Sequence, residues 1–536
     1  MHEKLYEDSE LIIGLVCAAG TDLNSIIQTM KDRLGFFNYE AEVIDVAEDI
    51  LKKFRTKLDD KGSHYIDING QQYDKYTSLK YDDPSRPKGK YEEIHAMMDV
   101  GNALRKKEKA FVARAIADSI QSKRDIDDEE NVRPIPKKAF IIKSLKNMTE
   151  VSMLRNIYQN GFYLFGVYSD KEARKDYLMS KNMDKASALD LIERDEKEKP
   201  GYGQQTRDIF QLSDFFINSD DVVGIEANIV RILNLIFADS FGSPTFGEYA
   251  MFLAYCTSLR SVDLSRQIGA VICRERDVLA MGANECPQYG GGQYWLEYDK
   301  ETGKYWEEPG GRDHALGHDS NRVEFLKIAD QIYDSLNDIL GDAFQDVFGE
   351  DKDPKTVVQE LLKNTGLGDI IEFGRVVHAE MEAISVCARN GISTQGTKLY
   401  CTTFPCHVCA KHLISAGITK VVYIEPYPKS KAFDLFKDSI SGNEKDEESK
   451  LVFVPFFGVG PRKYIEMFGM DYGWLSEKVR KDKASGKKKE WKERNAVVRD
   501  QMAPNSYLER ESIYVEKYKE LEIYFYKGDA ENADKS

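Results

Sequence analysis

The chain has 536 residues, which at roughly 150 residues per domain predicts two to four folding units. Hydrophobic residues make up 42% and aromatics 11%, enough to fill sizeable cores, so wholesale disorder is excluded. Lys and Arg number 75 against 91 Asp and Glu, a net charge of −16, and there are eight cysteines; a global polyanion-binding surface and a disulfide scaffold are both excluded, and a soluble cytoplasmic protein is expected.

The longest apolar run, Leu11 to Gly20, is far shorter than the roughly 18 residues of a membrane span. It follows the acidic stretch MHEKLYEDSE, where a secretory leader is basic, so it reads as a buried strand. Residues 23–34 then place Leu23, Ile26, Ile27, Met30 and Leu34 on one helical face. AEVIDV (41–46), AFIIKSL from Ala139 and FYLFGVY from Phe162 read as further strands, with the amphipathic VSMLRNIYQN between the last two. This alternation predicts a parallel sheet with crossover helices. Residues 56–92 are polar and weakly periodic and read as an insertion or long surface loop.

Gly14, Cys17, Gly20, Thr21 and Asp22 lie between the first strand and the first helix, the setting of a phosphate-binding loop, but the lysine such a loop carries is missing. Backbone amides at the helix start can still cradle a nucleotide phosphate, although Asp22, as N-cap, opposes an anion there. Lys143 and Lys146 stand where an acid for Mg²⁺ is usual, and Arg105, Arg155 and Arg194 are candidate phosphate clamps. The competing expectation is a nucleotide-kinase-like scaffold kept for regulation or assembly.

After the helix ANIVRILNLIFA, the Gly-, Ser- and Pro-bearing stretch 239–247 marks a boundary. The second half mixes IGAVICRE, DVLAMGAN, a helix from about His378, TKLYCTTF, a helix from Cys406, KVVYIEP and LVFVPFF. Residues 288–375 form a long insertion, helical by pattern over 321–363. Within it His314 and His318, beside Asp313 and Asp319, form either a second metal site or a solvated loop. Residues 476–494 hold nine Lys or Arg against four acids, and the block from Tyr507 looks helical. The expected division is 1–240, 244–475, and a basic helical extension 476–536.

His378-Ala379-Glu380 and Pro405-Cys406-His407-Val408-Cys409 carry the chemistry. Cysteines at i and i+3 share a helix face, and one His with two Cys suits Zn²⁺ with an open fourth position for water. An i,i+2 pair does not align on an ideal helix, so His378 must sit at a helix entrance with Glu380 in the first turn. A carboxylate there can take the water proton and pass it to a departing amine. The alternative is a small structural zinc knuckle, with His407 or His412 closing the site. H-x-E followed by P-C-x-x-C is the signature of zinc nucleobase deaminases.

The order of elements resembles the cytidine deaminase superfamily, and Ser265-Arg266-Gln267, Gly269-Ala270-Val271 and Gly282-Ala283-Asn284 resemble its deoxycytidylate deaminase branch. That resemblance implies a cytidine-deaminase-like α/β/α domain, and with the strand–loop–helix pattern of the amino-terminal half the expected fold is a P-loop kinase-like parallel-sheet α/β domain followed by it. It implies Glu380 as catalytic residue, His378, Cys406 and Cys409 as zinc ligands, and Asn284, Ser265 and Arg266 at the substrate. Tyr427 is similar to an aromatic beside the nucleotide, or is a surface-turn tyrosine between two prolines. Over nearly the full length, from ELIIGLVCAAGTDL through FIIKSLKN to HAEMEAI, PCHVC and VPFFGVGPRKY, the chain resembles the bacterial anti-phage cytidine deaminases. Membership implies a homo-oligomer that converts dCTP and dCMP to uracil nucleotides and depletes the pool on infection. It also implies dTTP as a candidate inhibitor and a small RNA as a candidate regulator. Two other readings stay open: deamination of cytosine in RNA or single-stranded DNA, and an RNA-controlled switch built on the basic segment. The acidic net charge favours a free nucleotide.

Overall fold

The computed structural model describes residues 8–54, 65–68, 71–74, 89–126, 132–197, 205–341, 353–369, 371–427, 430–470, 480–482 and 484–527. Most of the expected 56–92 insertion, residues 342–352 within the 288–375 insertion, and residues 476–479 and 483 of the basic segment lie outside them. Among the described residues no helix is long and apolar enough to cross a membrane. The chain forms two compact units, both mixed α/β with parallel sheets.

The first unit comprises residues 1–244 and 457–536. Its sheet runs in the order Gly458–Val459, Phe215–Asn218, Phe162–Tyr168, Leu11–Cys17, Lys138–Lys143, Glu40–Asp45. All pairings are parallel except that of the short Gly458–Val459 edge. The central strand alternates strictly, as a two-residue period demands. Leu11, Ile13, Leu15 and Cys17 join one core with the helices Asn24–Phe36 and Gly224–Ile236. Ile12 and Val16 join the opposite core with Phe111–Gln121 and Met148–Tyr158.

The carboxy-terminal segment departs from the expected division. The chain leaves the second unit at Phe456, not near residue 475, and returns to the first. The helix Pro504–Lys527 is no separate extension: Tyr507, Val515 and Tyr518 are buried in the same core as Ile12 and Val16. Their spacing of eight and eleven residues keeps them on one helical stripe, which the buried Glu511 shares. Beneath this helix the wholly buried Arg124 guanidinium meets Glu10 through two 2.9 Å bonds and also pairs with Glu511. Tyr507 donates to Glu10 at 2.7 Å, and Tyr158 donates to Glu511.

The second unit, Thr245–Phe456, has a sheet in the order Ile440–Ser441, Leu451–Pro455, Lys420–Glu425, Lys398–Thr403, Gly269–Arg274, Asp277–Ala283. The last two form an antiparallel hairpin, Gly269–Arg274 also pairs antiparallel with Lys398–Thr403, and the remaining pairings are parallel. The helices Ala379–Arg389 and His407–Ser415 cover one face, where Ala379, Ala383, Ala410 and Leu413 pack on Ile272, Leu399 and Cys401. Gly282 makes this fit: a Cβ there would lie 2.2 Å from the Ala379 carbonyl oxygen and 2.5 Å from the Ala383 nitrogen. Only a glycine lets the helix that begins beside His378 lie this close to the strand.

Candidate active site

His378 is the N-cap of the helix Ala379–Arg389, with extended backbone (φ −65°, ψ 151°), and Glu380 follows in the first turn. Cys406 caps the helix His407–Ser415, its sulfur accepting the Cys409 amide at 3.4 Å. The i,i+2 and i,i+3 spacings are therefore reconciled by placing the first member of each outside its helix. Both helix N-termini face the cluster and favour anionic groups there.

His378 Nδ1 lies 3.4 Å from Cys406 Sγ and 3.3 Å from Cys409 Sγ. All three donor atoms lie within 4.8 Å of one another. Tetrahedral zinc, with Zn–N near 2.0–2.1 Å and Zn–S near 2.3 Å, needs nitrogen and sulfur about 3.6 Å apart, so the three donors fit the ion. His407 and His412 do not join the group, so a closed four-ligand knuckle is not formed among the described residues. A bond from Cys409 pulls the Cys406 thiol down to about 4, and the Cys406 sulfur raises His378 to about 9. Glu380 is 4% exposed, and burial pushes its carboxyl up while His378 opposes the shift.

A cavity of about 250 Å³ opens above these residues. Its lining includes His378, Glu380, Cys406 and all four expected substrate residues, Ser265, Arg266, Asn284 and Tyr427. Asn284 is buried, and its side chain is used on the backbone: Oδ1 accepts the Ile268 amide at 2.7 Å and Nδ2 donates to the Arg266 carbonyl at 2.8 Å. Arg266 is exposed, donates to Glu425 at 2.8 Å and stands 5.6 Å from the Tyr427 ring. Asp263 Oδ1 accepts the Ser265 and Arg266 amides, which fixes the loop before the hairpin.

Sequence reasoning missed part of this wall. Thr403 and Phe404 line it from the end of a strand, and Asp313, Asp319, Asn321 and Ile371 line it from the insertion. The insertion is tied in by Arg375, which donates to Asp313 at 3.1 Å, and by buried Arg312, which lies 3.6 Å from Glu285. The Glu285 backbone bridges Val377, the residue before His378. The position of Val377 next to His378 was the available signal, but nothing local marks its partner 92 residues earlier. His314 pairs with Glu307 at 2.8 Å, and no second metal cluster forms among the described residues.

The amino-terminal candidates are arranged otherwise than expected. Gly14 lies inside the strand Leu11–Cys17, against Leu145 and Phe162, and not in the loop that follows. Leu23, not Asp22, is the N-cap of the first helix, and Asp22 accepts the Asn24 amide at 3.0 Å. Gly20 has φ +86° and a Cβ there would meet the Arg174 carbonyl, so it does form the tight turn before Thr21. The three candidate clamps are engaged internally: Arg105 with Glu150, Arg155 with Asp214, and Arg194 with Asp99 and His95.

The family described as the cytidine and deoxycytidylate deaminase zinc-binding region matches residues 245–425. The deoxycytidylate deaminase of Enterobacteria phage T4 is 30% identical over 181 residues, 33% of this chain and 77% of that protein. ComE operon protein 2 of Bacillus subtilis is 47% identical over 53 residues, 10% of this chain and 28% of that protein. The solved dCMP deaminase of cyanophage S-TIM5 in complex with dCMP and dUMP aligns with 40% of this chain and 98% of its own at 18% identity, with a TM-score of 0.21.

Proposed function

This chain belongs to the deoxycytidylate deaminase family, and on that footing we propose that it hydrolyses the 4-amino group of dCMP, releasing ammonia and dUMP. The observation that carries the reading is the cluster of one imidazole nitrogen and two cysteine sulfurs beside a cavity that His378, Cys406 and the buried Glu380 line. His378, Cys406 and Cys409 would hold Zn²⁺, and three protein ligands are the set of a catalytic zinc site. When bound, the ion supplies a Lewis acid that lowers the pKa of water from 15.7 to about 7.

Glu380 has the proton work. Its carboxylate takes a proton from the attacking water and delivers it to N3 of the cytosine as oxygen bonds to C4. It then carries the second water proton to the amino nitrogen as the C4–N bond breaks, so water is consumed and ammonia leaves. Burial, which disfavours a charged carboxylate, helps it to hold that proton between the two transfers. Arg266 offers the cavity a guanidinium for the 5′-phosphate, with Ser265 beside it and Tyr427 as an aromatic wall. Asn284 acts here by bracing the backbone at 266–268 as well as by facing the cavity.

The resemblance to anti-phage deaminases extends the proposal to dCTP as a second substrate, to pool depletion as the biological outcome, and to dTTP, a small RNA and self-assembly as controls. Free nucleotide is favoured over a nucleic-acid strand because the net charge of −16 disfavours a long polyanion. Zinc dependence is tested by dialysis against a chelator. Ammonia release from dCMP should fall to background and return on adding about one equivalent of Zn²⁺. Full activity in protein shown to be metal-free would refute it.

A further inference from the structure

Two neighbouring strands of the first unit send the chain in opposite directions. Leu11–Cys17 continues into the helix Asn24–Phe36 on one face of the sheet, and Lys138–Lys143 into Met148–Tyr158 on the other. Open α/β sheets take ligands in the crevice between such strand ends. Here the crevice is already spanned. Lys146 Nζ donates to the Cys17 carbonyl at 2.8 Å and to Asp195 Oδ1 at 3.0 Å. The Ala19 amide donates to Asp195 Oδ2 at 2.8 Å, and the Thr206 hydroxyl reaches Oδ1 at 3.4 Å.

A loop amide, a lysine and a threonine hydroxyl are the donors with which strand–loop–helix turns hold phosphate. In this protein they hold the carboxylate of Asp195, whose side chain is 1% exposed and which comes from the helix Lys185–Lys197. The same turn keeps an unused group: the Thr21 hydroxyl is buried with no hydrogen-bond partner among the described residues. Gly20, with φ +86°, closes the turn, in which the Thr21 amide donates to the Ala18 carbonyl at 3.2 Å and the Ala19 amide is left to face Asp195.

We propose that this crevice is a phosphate site for an anion of the nucleotide type, and that Asp195 fills it as a built-in substitute. The donor set is complete, and a buried carboxylate in its midst repels a phosphate group. Phosphate enters only when Asp195 withdraws or is neutralised. The site thus differs from the expected one: Ala19, Lys146 and Thr206 form it, and Gly14 and Asp22 do not.

The test uses the full chain and inorganic pyrophosphate in a calorimeter. The wild-type protein should bind it no better than millimolar. Asp195→Asn, which keeps the shape and removes the charge, should bind at least roughly tenfold tighter, a difference of about 1.4 kcal/mol. Adding Lys146→Gln to that variant should abolish the gain. Should the Asn variant not fold, Asp195→Ser carries the same expectation. Micromolar binding by the wild-type protein would overturn the proposal, as would a folded Asp195 variant with unchanged affinity or a gain that survives loss of Lys146.

Discussion

Glu380→Gln should lose ammonia release from dCMP by about 10²–10⁴-fold, the range set by a positioned proton-transfer group, while keeping its zinc. Glutamine matches the carboxylate in size, so the close packing around the 4%-exposed side chain is preserved. It has no group that can accept a water proton. His378 Nδ1 and the two sulfurs are untouched, so metal content measured on the same sample separates chemistry from coordination. Unchanged turnover at full zinc content would remove Glu380 from its role.

The second large effect is on stability. Arg124→Met should destabilise the first unit by about 3–5 kcal/mol, because it leaves Glu10 and Glu511 buried without their cation. Burial already pushes the Glu511 carboxyl up against the pull of Arg124, so the unpaired acid has no comfortable state. Arg124 also binds residue 10 to residue 511, and through them the first strand to the last helix. Denaturant unfolding should show a lower midpoint, and limited proteolysis should cut near the helix Pro504–Lys527 before elsewhere. An unfolding midpoint equal to that of the wild-type protein would show that the network contributes little. Replacing Arg124, Glu10 and Glu511 together by apolar residues should cost less than the single change, since no charge is then stranded.

The chemistry was legible where it depends on local spacing. His378, Cys406 and Cys409 lie in two short segments whose spacing follows from helix entry and helix periodicity, and the structure brings their donor atoms within 4.8 Å of one another, with Glu380 in the first turn after His378. The two sheets were legible for the same reason, since alternation along Leu11–Cys17 and the apolar stripe of Asn24–Phe36 are properties of neighbours in sequence. What was hidden depends on pairing across long separations. The helix Pro504–Lys527 carries its apolar residues far apart among many charges and reads as part of a basic extension; its place in the first core rests on partners hundreds of positions away, among them Glu10, Arg124 and Tyr158. Asp195 is 176 positions from the amide it accepts, and no motif marks a carboxylate that occupies a phosphate's place. The insertion was visible as extra length, but its contribution of Asp313 and Asp319 to the cavity wall was not.

A cavity above His378 and Cys406 that deaminates a free deoxycytidine nucleotide differs from a strand-editing site in the products it forms. That difference is tested most directly by incubating the zinc-loaded full chain with dCMP, dCTP and a cytosine-containing oligonucleotide of equal cytosine concentration, measuring ammonia and identifying each product. Stoichiometric ammonia and dUMP from dCMP, dUTP from dCTP, and an unaltered oligonucleotide are expected. Uracil appearing only in the oligonucleotide, or no dUMP from protein with its zinc in place, would contradict the free-nucleotide assignment.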